Sequence, residues 1–145
     1  MPHLRLYVPE EWLREDFNLK TGFDAPKLLD LLVRTLADLR MEEAGNDVAL
    51  VKLSNLKHAI IPVQAAHVGG DESKFFLHVT LQMGNDTPGR TAEVRSHTAR
   101  MLGDAVDGFT AGLQGLASVT VHVQDIDRDR GYSTSAERAM VKKTV

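Results

Sequence analysis

Two residues of this chain have side chains or termini suited to moving a proton or pairing with an anion. Pro2 follows the first methionine in "MPHLRLYV". With Met1 removed, Pro2 would carry a secondary amine at the chain terminus, able to take up a proton and return it. A free α-amino group titrates near 7.7–8.0, so such a base must be held largely unprotonated to work near neutral pH. An apolar pocket disfavours the ammonium, and a neighbouring cation disfavours it further. Each unit of depression requires about 1.4 kcal/mol. The plain reading of the same residue is that proline lacks an N–H and suits the first position of a strand. Arg90, in "TPGR", is the second residue. Its guanidinium offers a planar fork for a carboxylate. It opens a helical pattern, where free main-chain N–H groups add donors for an anion. A cation is mildly unfavourable at a helix N-terminus, so its placement leans toward a function over a solvated first-turn side chain.

Other chemistries find little support. The chain has no cysteine, which removes thiolate catalysis, cysteine-ligated metals and disulfides, and suits a cytoplasmic protein. Six histidines stand at 3, 58, 67, 78, 97 and 122, and none has the His-x-x-x-His spacing that puts two ligands on one helix face. His3, His78 and His122 could share a sheet face, where hydrogen-bonded structural roles are the plainer expectation. Phosphate loops, nucleotide fingerprints and serine-hydrolase signatures are absent from the sequence.

The elements that position these residues can be read from periodicity. "HLRLYV" alternates, with Leu4, Leu6 and Val8 on one side and His3, Arg5 and Tyr7 on the other. Pro2 has the parity of the leucines, so a regular strand points it toward the apolar side. From Asp24, as N-cap, and Pro26 in the first turn, the spacing predicts a helix. Its stripe is Leu28, Leu29, Leu32, Val33, Leu36 and Leu39, and Gly45-Asn46 stops it. Ile60, Ile61 and Val63 suggest a strand interrupted by Pro62, hence an edge or bulged strand. "HVGGDES" reads as a turn. "FFLHVTLQM" is the clearest strand. Phe75, Leu77, Val79, Leu81 and Met83 share one face; Phe76, His78, Thr80 and Gln82 share the other. "GNDTPG" is a loop, with Thr87 and Pro88 suited to start a helix. Helical spacing then runs from Arg90 to Leu116, and "SVTVHVQDI" is a last strand.

A chain of 145 residues with 43% hydrophobic and 26% charged residues fits one ordinary domain. Its net charge of -3 provides no electrostatic case for nucleic acid or an acidic membrane. The opening segment lacks the apolar run of a signal peptide, and no stretch approaches the roughly 20 residues of a membrane span. Two helices cover only one face of a four-stranded sheet. The other face would carry His3, Arg5, Tyr7, Phe76, His78, Thr80, Thr120, His122 and Gln124. That mixture suits a wet, partly buried surface between copies of the chain.

The amino-terminal Pro-His, the strand-helix-strand order taken twice, and the block "FFLHVTLQMGNDTPGRTAEVR" resemble the 5-carboxymethyl-2-hydroxymuconate isomerases of the tautomerase superfamily. Phe76, His78, Leu81, Gly84, Gly89, Arg90, Glu93 and Arg95 stand in family order, and the resemblance runs from Pro2 to about Asp127. It implies an α/β fold of two βαβ units, a four-stranded sheet with two helices on one face, assembled as a homotrimer. Residues 1–127 would form the domain and 128–145 an extension or arm. It implies a cofactor-independent isomerase, as in aromatic catabolism, with Pro2 as general base and Arg90 on a substrate carboxylate. The family's second arginine falls where this chain has Lys57, which keeps the charge and loses the fork. Arg40 and His58 are the nearby alternatives, and a solvated loop lysine is the bland one. No metal is implied. The substrate would be an unsaturated 2-hydroxy acid or related enol; aryl enolpyruvates and haloacrylates are variants of the same chemistry. The other class of reading is a non-catalytic trimer, used for binding or assembly, that descends from such an isomerase.

Overall fold

The computed structural model describes residues 2–84, 87–126 and 138–139. The strand β1 (His3–Pro9) is the frame on which the sheet is built. The helix α1 (Glu15–Thr21) follows a short 3-10 turn, and α2 (Ala25–Asp38) crosses the sheet. Two short strands, β2 (Arg40–Glu43) and β3 (Asn46–Ala49), pair as a separate hairpin. Then come β4 (Lys57–Val63), β5 (His67–Val68), β6 (Asp71–Gly84), α3 (Ala92–Phe109) and β7 (Leu116–Ile126).

The sheet runs β4-β1-β6-β7, with β5 paired to the early part of β6. β1 and β4 are parallel through the α2 crossover, and β6 and β7 are parallel through α3. The two βαβ units meet at the antiparallel pair β1–β6, where His3 faces Gln82 and Tyr7 faces His78. This is the expected α/β architecture, with α1, the hairpin and β5 added to it.

Alternation on the strands builds the core. Leu4, Leu6 and Val8 of β1 and Leu77, Val79, Leu81 and Met83 of β6 are fully buried beneath Leu28, Leu32 and Leu36 of α2 and Leu102 and Val106 of α3. Burying each such side chain contributes about 1.5–3 kcal/mol before the entropy of ordering is subtracted. Asp24 caps α2 as expected, its Oδ1 accepting from the Lys27 amide at 3.1 Å. β4 is an edge strand and includes Pro62, which costs no ladder bond there.

Several boundaries differ from the sequence expectation. The helical stripe does not continue to Gly45; α2 ends at Asp38, and Leu39 turns extended so that Met41 can bury under the β2–β3 hairpin. Ala44 and Gly45 form the turn at φ values of 52° and 81°, the left-handed pair that a tight hairpin requires. α3 does not start at Thr87-Pro88. Those residues form a turn closed by the Arg90 amide on the Thr87 carbonyl, and Thr91 is the cap, accepting from Val94 N at 3.2 Å. α3 stops at Phe109, so Leu113 lies in a loop whose Gly112 and Gly115 take positive φ. The proposed C-terminal arm falls almost wholly outside the described residues.

Candidate active site

Pro2 sits at the tip of β1 and is buried, on the same side as Leu4, Leu6 and Val8. Its carbonyl accepts the Lys57 amide at 3.0 Å, the rung that starts the parallel β1–β4 ladder. On the other side the ladder places Gln82 opposite His3, so the end of β6, at Met83 and Gly84, runs beside Pro2.

Arg90 is fixed at that same end of the sheet. Its Nη1 donates to the Gly84 carbonyl at 3.2 Å and its Nη2 to the Leu50 carbonyl at 3.1 Å. Leu50 follows the hairpin and is buried, its amide bonded to the Leu39 carbonyl. The guanidinium thus spans the end of β6 and the exit of the hairpin. Gly89 makes this approach possible. A Cβ on it would come 2.6 Å from the Glu42 carbonyl oxygen and 3.3 Å from Met41 Sδ. Only glycine lets the loop before α3 lie directly on β2.

Behind Arg90 stands Arg95, whose Nη1 donates to the Arg90 carbonyl and pairs with Asp125 of β7. Arg95 and Asp125 are functional candidates by position: Arg95 stands in the family block without a role read for it, and Asp125 carries no signal in the sequence. Both lie in readable elements, yet their convergence depends on the parallel register of β6 and β7.

The remaining candidates are dispersed. Lys57 is exposed and pairs with His3, so its side chain lies on the open face, opposite the Pro2 ring. His58 pairs with Leu4, has the parity of Pro2, and is also exposed. Arg40 opens β2 and is held by the hairpin itself, with Nε 3.5 Å from Asp47 Oδ1 and Nη2 on the Asp47 carbonyl. His3 has its pKa lowered, first by burial and then by the charges of Arg5 and Lys57. The three histidines of the open face stand on different rows of the sheet. Among the described residues no three metal-ligating side chains converge. A cavity of about 580 Å³, lined by Phe17, Lys20, Phe23 and Phe109, opens at the far end of α3, away from Pro2.

A buried, strand-tip proline and a hydrogen-bonded guanidinium thus stand at the same end of the sheet. No family model matches the chain, and no curated protein matches it by sequence. Solved structures do. A 5-carboxymethyl-2-hydroxymuconate delta-isomerase superposes with a TM-score of 0.66 at 16% identity, covering 97% of this chain and 93% of that one. A 5-carboxymethyl-2-hydroxymuconate isomerase from Deinococcus radiodurans R1 gives 0.65 at 18%, with the same coverage. A fused 4-OT, described as a symmetric trimer, gives 0.58 at 17%, over 94% of this chain and 98% of that one. The chain therefore has the tautomerase-type fold that these isomerases share.

Proposed function

We propose that the protein is an isomerase that moves a proton within an unsaturated 2-hydroxy mono- or dicarboxylic acid. The observation that carries the reading is the placement of Pro2. It is buried on the apolar side of β1, at the end of the sheet where the Arg90 guanidinium is held. Burial favours the neutral amine over the ammonium. Once Met1 is cleaved, the neutral Pro2 nitrogen takes the enol O–H proton of the substrate. The resulting dienolate gains a proton from the same nitrogen at a carbon of the conjugated chain. The C–OH becomes C=O, one double bond shifts, and the amine returns to its neutral form. Arg90 holds the carboxylate and stabilises the charge that develops on the dienolate.

Lys57 serves this site first through its main chain, since its N–H fixes the Pro2 carbonyl. Its ammonium, on the open face beside His3, would reach a second carboxylate only from beyond the strand tip. We further propose a homotrimer built on the open sheet face, in keeping with the trimers among the structural neighbours. The described residues include no helix long and apolar enough to cross a membrane.

The test is ketonisation of 2-hydroxydienoates followed in the ultraviolet. Protein whose intact mass shows loss of Met1 is compared with Pro2→Ala. A rate drop of about a hundredfold or more supports the proline base; equal rates overturn it. A second reading, a non-catalytic binding or assembly protein, is favoured by one contact pair: Arg90 donates to two main-chain carbonyls, as a purely structural arginine would. Inactivity of the processed protein on every such enol would support that reading.

A further inference from the structure

The sheet face turned away from the helices has a one-sided charge pattern. Over the rows where β4, β1, β6 and β7 pair, its charged and titratable side chains are His3, Arg5 and Tyr7 of β1, Lys57 of β4, His78 of β6 and His122 of β7. Across His3–Tyr7, Lys57–Val63, Phe76–Gln82 and Ser118–Gln124, no position on that face is Asp or Glu. Over these rows half-buried Arg5 and exposed Lys57 stand with no carboxylate among them, in a protein whose net charge is negative.

Arg5 is also held in place. Arg5 Nη1 donates to Gln82 Oε1 at 3.1 Å, Gln82 Nε2 to Gln124 Oε1 at 3.1 Å, and Gln124 Nε2 lies 2.9 Å from His122 Nδ1. This line crosses three strands. Between its ends lies Thr80, which the register places opposite both Arg5 and His122. Thr80 is 7% exposed, and its hydroxyl is buried with no hydrogen-bond partner among the described residues. Buried hydroxyls are almost always bonded, so an unmet one points to a partner that the chain alone does not supply.

We propose that this face binds an oxyanion of the sulfate or phosphate class. Arg5 presents its planar fork to the anion, Lys57 and His3 add charge from the neighbouring positions, and the Thr80 hydroxyl donates between Arg5 and His122. The site lies on the opposite face of the sheet from the Pro2 ring and does not depend on the isomerase reading. An oxyanion there would also let copies of the chain approach through this face without stacking uncompensated charge.

The experiment titrates the full chain with sodium sulfate at low ionic strength, following amide shifts by NMR, with sodium chloride at matched ionic strength as the second arm. Inorganic phosphate at constant pH is the third. Saturable shifts clustered at Arg5, Thr80 and His122, produced by both oxyanions and not by chloride, support the site. Arg5→Gln is expected to weaken sulfate binding at least tenfold, and Thr80→Val, which keeps the shape and removes the hydroxyl, about threefold. Binding tightens as pH falls below about 6.5, where His3 and His78, both held below the usual histidine value, begin to gain protons beside Arg5 and Lys57. Shifts reproduced by chloride, shifts centred elsewhere, or Arg5→Gln binding as the parent does would each overturn the proposal. Should Arg5→Gln fail to fold, the parent shift map and Thr80→Val decide it.

Discussion

Arg95 Nη1 donates to the Arg90 carbonyl at 2.7 Å while standing 3.4 Å from Asp125 Oδ1. One guanidinium therefore ties the first turn of α3 to the loop before it and to β7. Through Arg90, which grips the Gly84 and Leu50 carbonyls, the tie reaches the end of β6 and the hairpin exit. Arg95 is a positioning residue in this scheme, since it acts on Arg90 and not on substrate. Arg95→Met should raise KM for a carboxylate substrate about tenfold with kcat little changed, the pattern of lost ground-state binding. Stability should fall by about 2 kcal/mol, because the partly exposed ion pair adds little and the main loss is one charged-to-neutral hydrogen bond. Steady-state kinetics beside urea unfolding separate the two effects. An equal fall in kcat, with KM unmoved, would mean that Arg95 does not set the position of Arg90.

Gly89→Ala should be the most damaging single-methyl change near the site. The added Cβ meets a main-chain carbonyl, Glu42 O at 2.6 Å, which cannot swing aside as a side chain end could. Either the hairpin or the loop before α3 must move. Overpacking of this kind costs about 1–3 kcal/mol. Urea unfolding should show that loss, and activity should fall with it because Arg90 is the next residue. Parent-like stability would show that the loop and hairpin separate easily.

The burial of Pro2 was legible, because strand parity needs only Leu4, Leu6 and Val8 to set the buried side. The α2 start was legible from Asp24, whose capping bond is local. The α2 end was not. Leu39 continues the helical period, yet Met41 gains burial only if the chain turns extended, and that gain is set by the loop around Gly89. The segment from Glu10 to Thr21 carries no periodic signal of its own, because its order comes from rings meeting across the fold. Trp12 stacks on Phe17 at 5.1 Å and tilts against Phe75 at 5.4 Å. Arg90 illustrates the limit for the site. Its residue type and helix-start setting could be read from the chain. Its acceptors are main-chain carbonyls at positions 50 and 84, which carry no sequence signal.

The two helix caps allow a controlled comparison. Asp24 accepts from Lys27 N at 3.1 Å, and Thr91 accepts from Val94 N at 3.2 Å. Replacing either by Ala should cost about 1 kcal/mol of stability. Thr91 directly follows Arg90 and starts the helix that carries Arg95. Thr91→Ala should therefore reduce turnover of a carboxylate substrate severalfold, whereas Asp24→Ala should leave it unchanged. Chemical denaturation and initial rates on the same preparations check both statements. Equal activity in the two variants would show that fraying the start of α3 does not reach Arg90.

Acid should weaken the fold through the open sheet face. The pKa of His78 is lowered, first by burial and then by the charge of His122, with a main-chain hydrogen bond involving Thr120 opposing the shift. That of His3 is lowered by burial, Arg5 and Lys57. In the unfolded chain both return to about 6.5. Between the folded and unfolded values the unfolded state binds more protons, so stability rises with pH across that window. The contribution is fully present above about pH 6.5 and is lost as pH falls through the window toward the depressed folded values. Unfolding midpoints in urea should therefore be flat from pH 8 to 7 and decline from pH 6.5 downward. His78→Gln should flatten part of that decline, since glutamine does not titrate, while the His3 part persists. A decline of the same steepness in His78→Gln would assign the acid sensitivity to other groups, and a parent midpoint that rises on acidification would mean that folding does not disfavour these imidazolium ions.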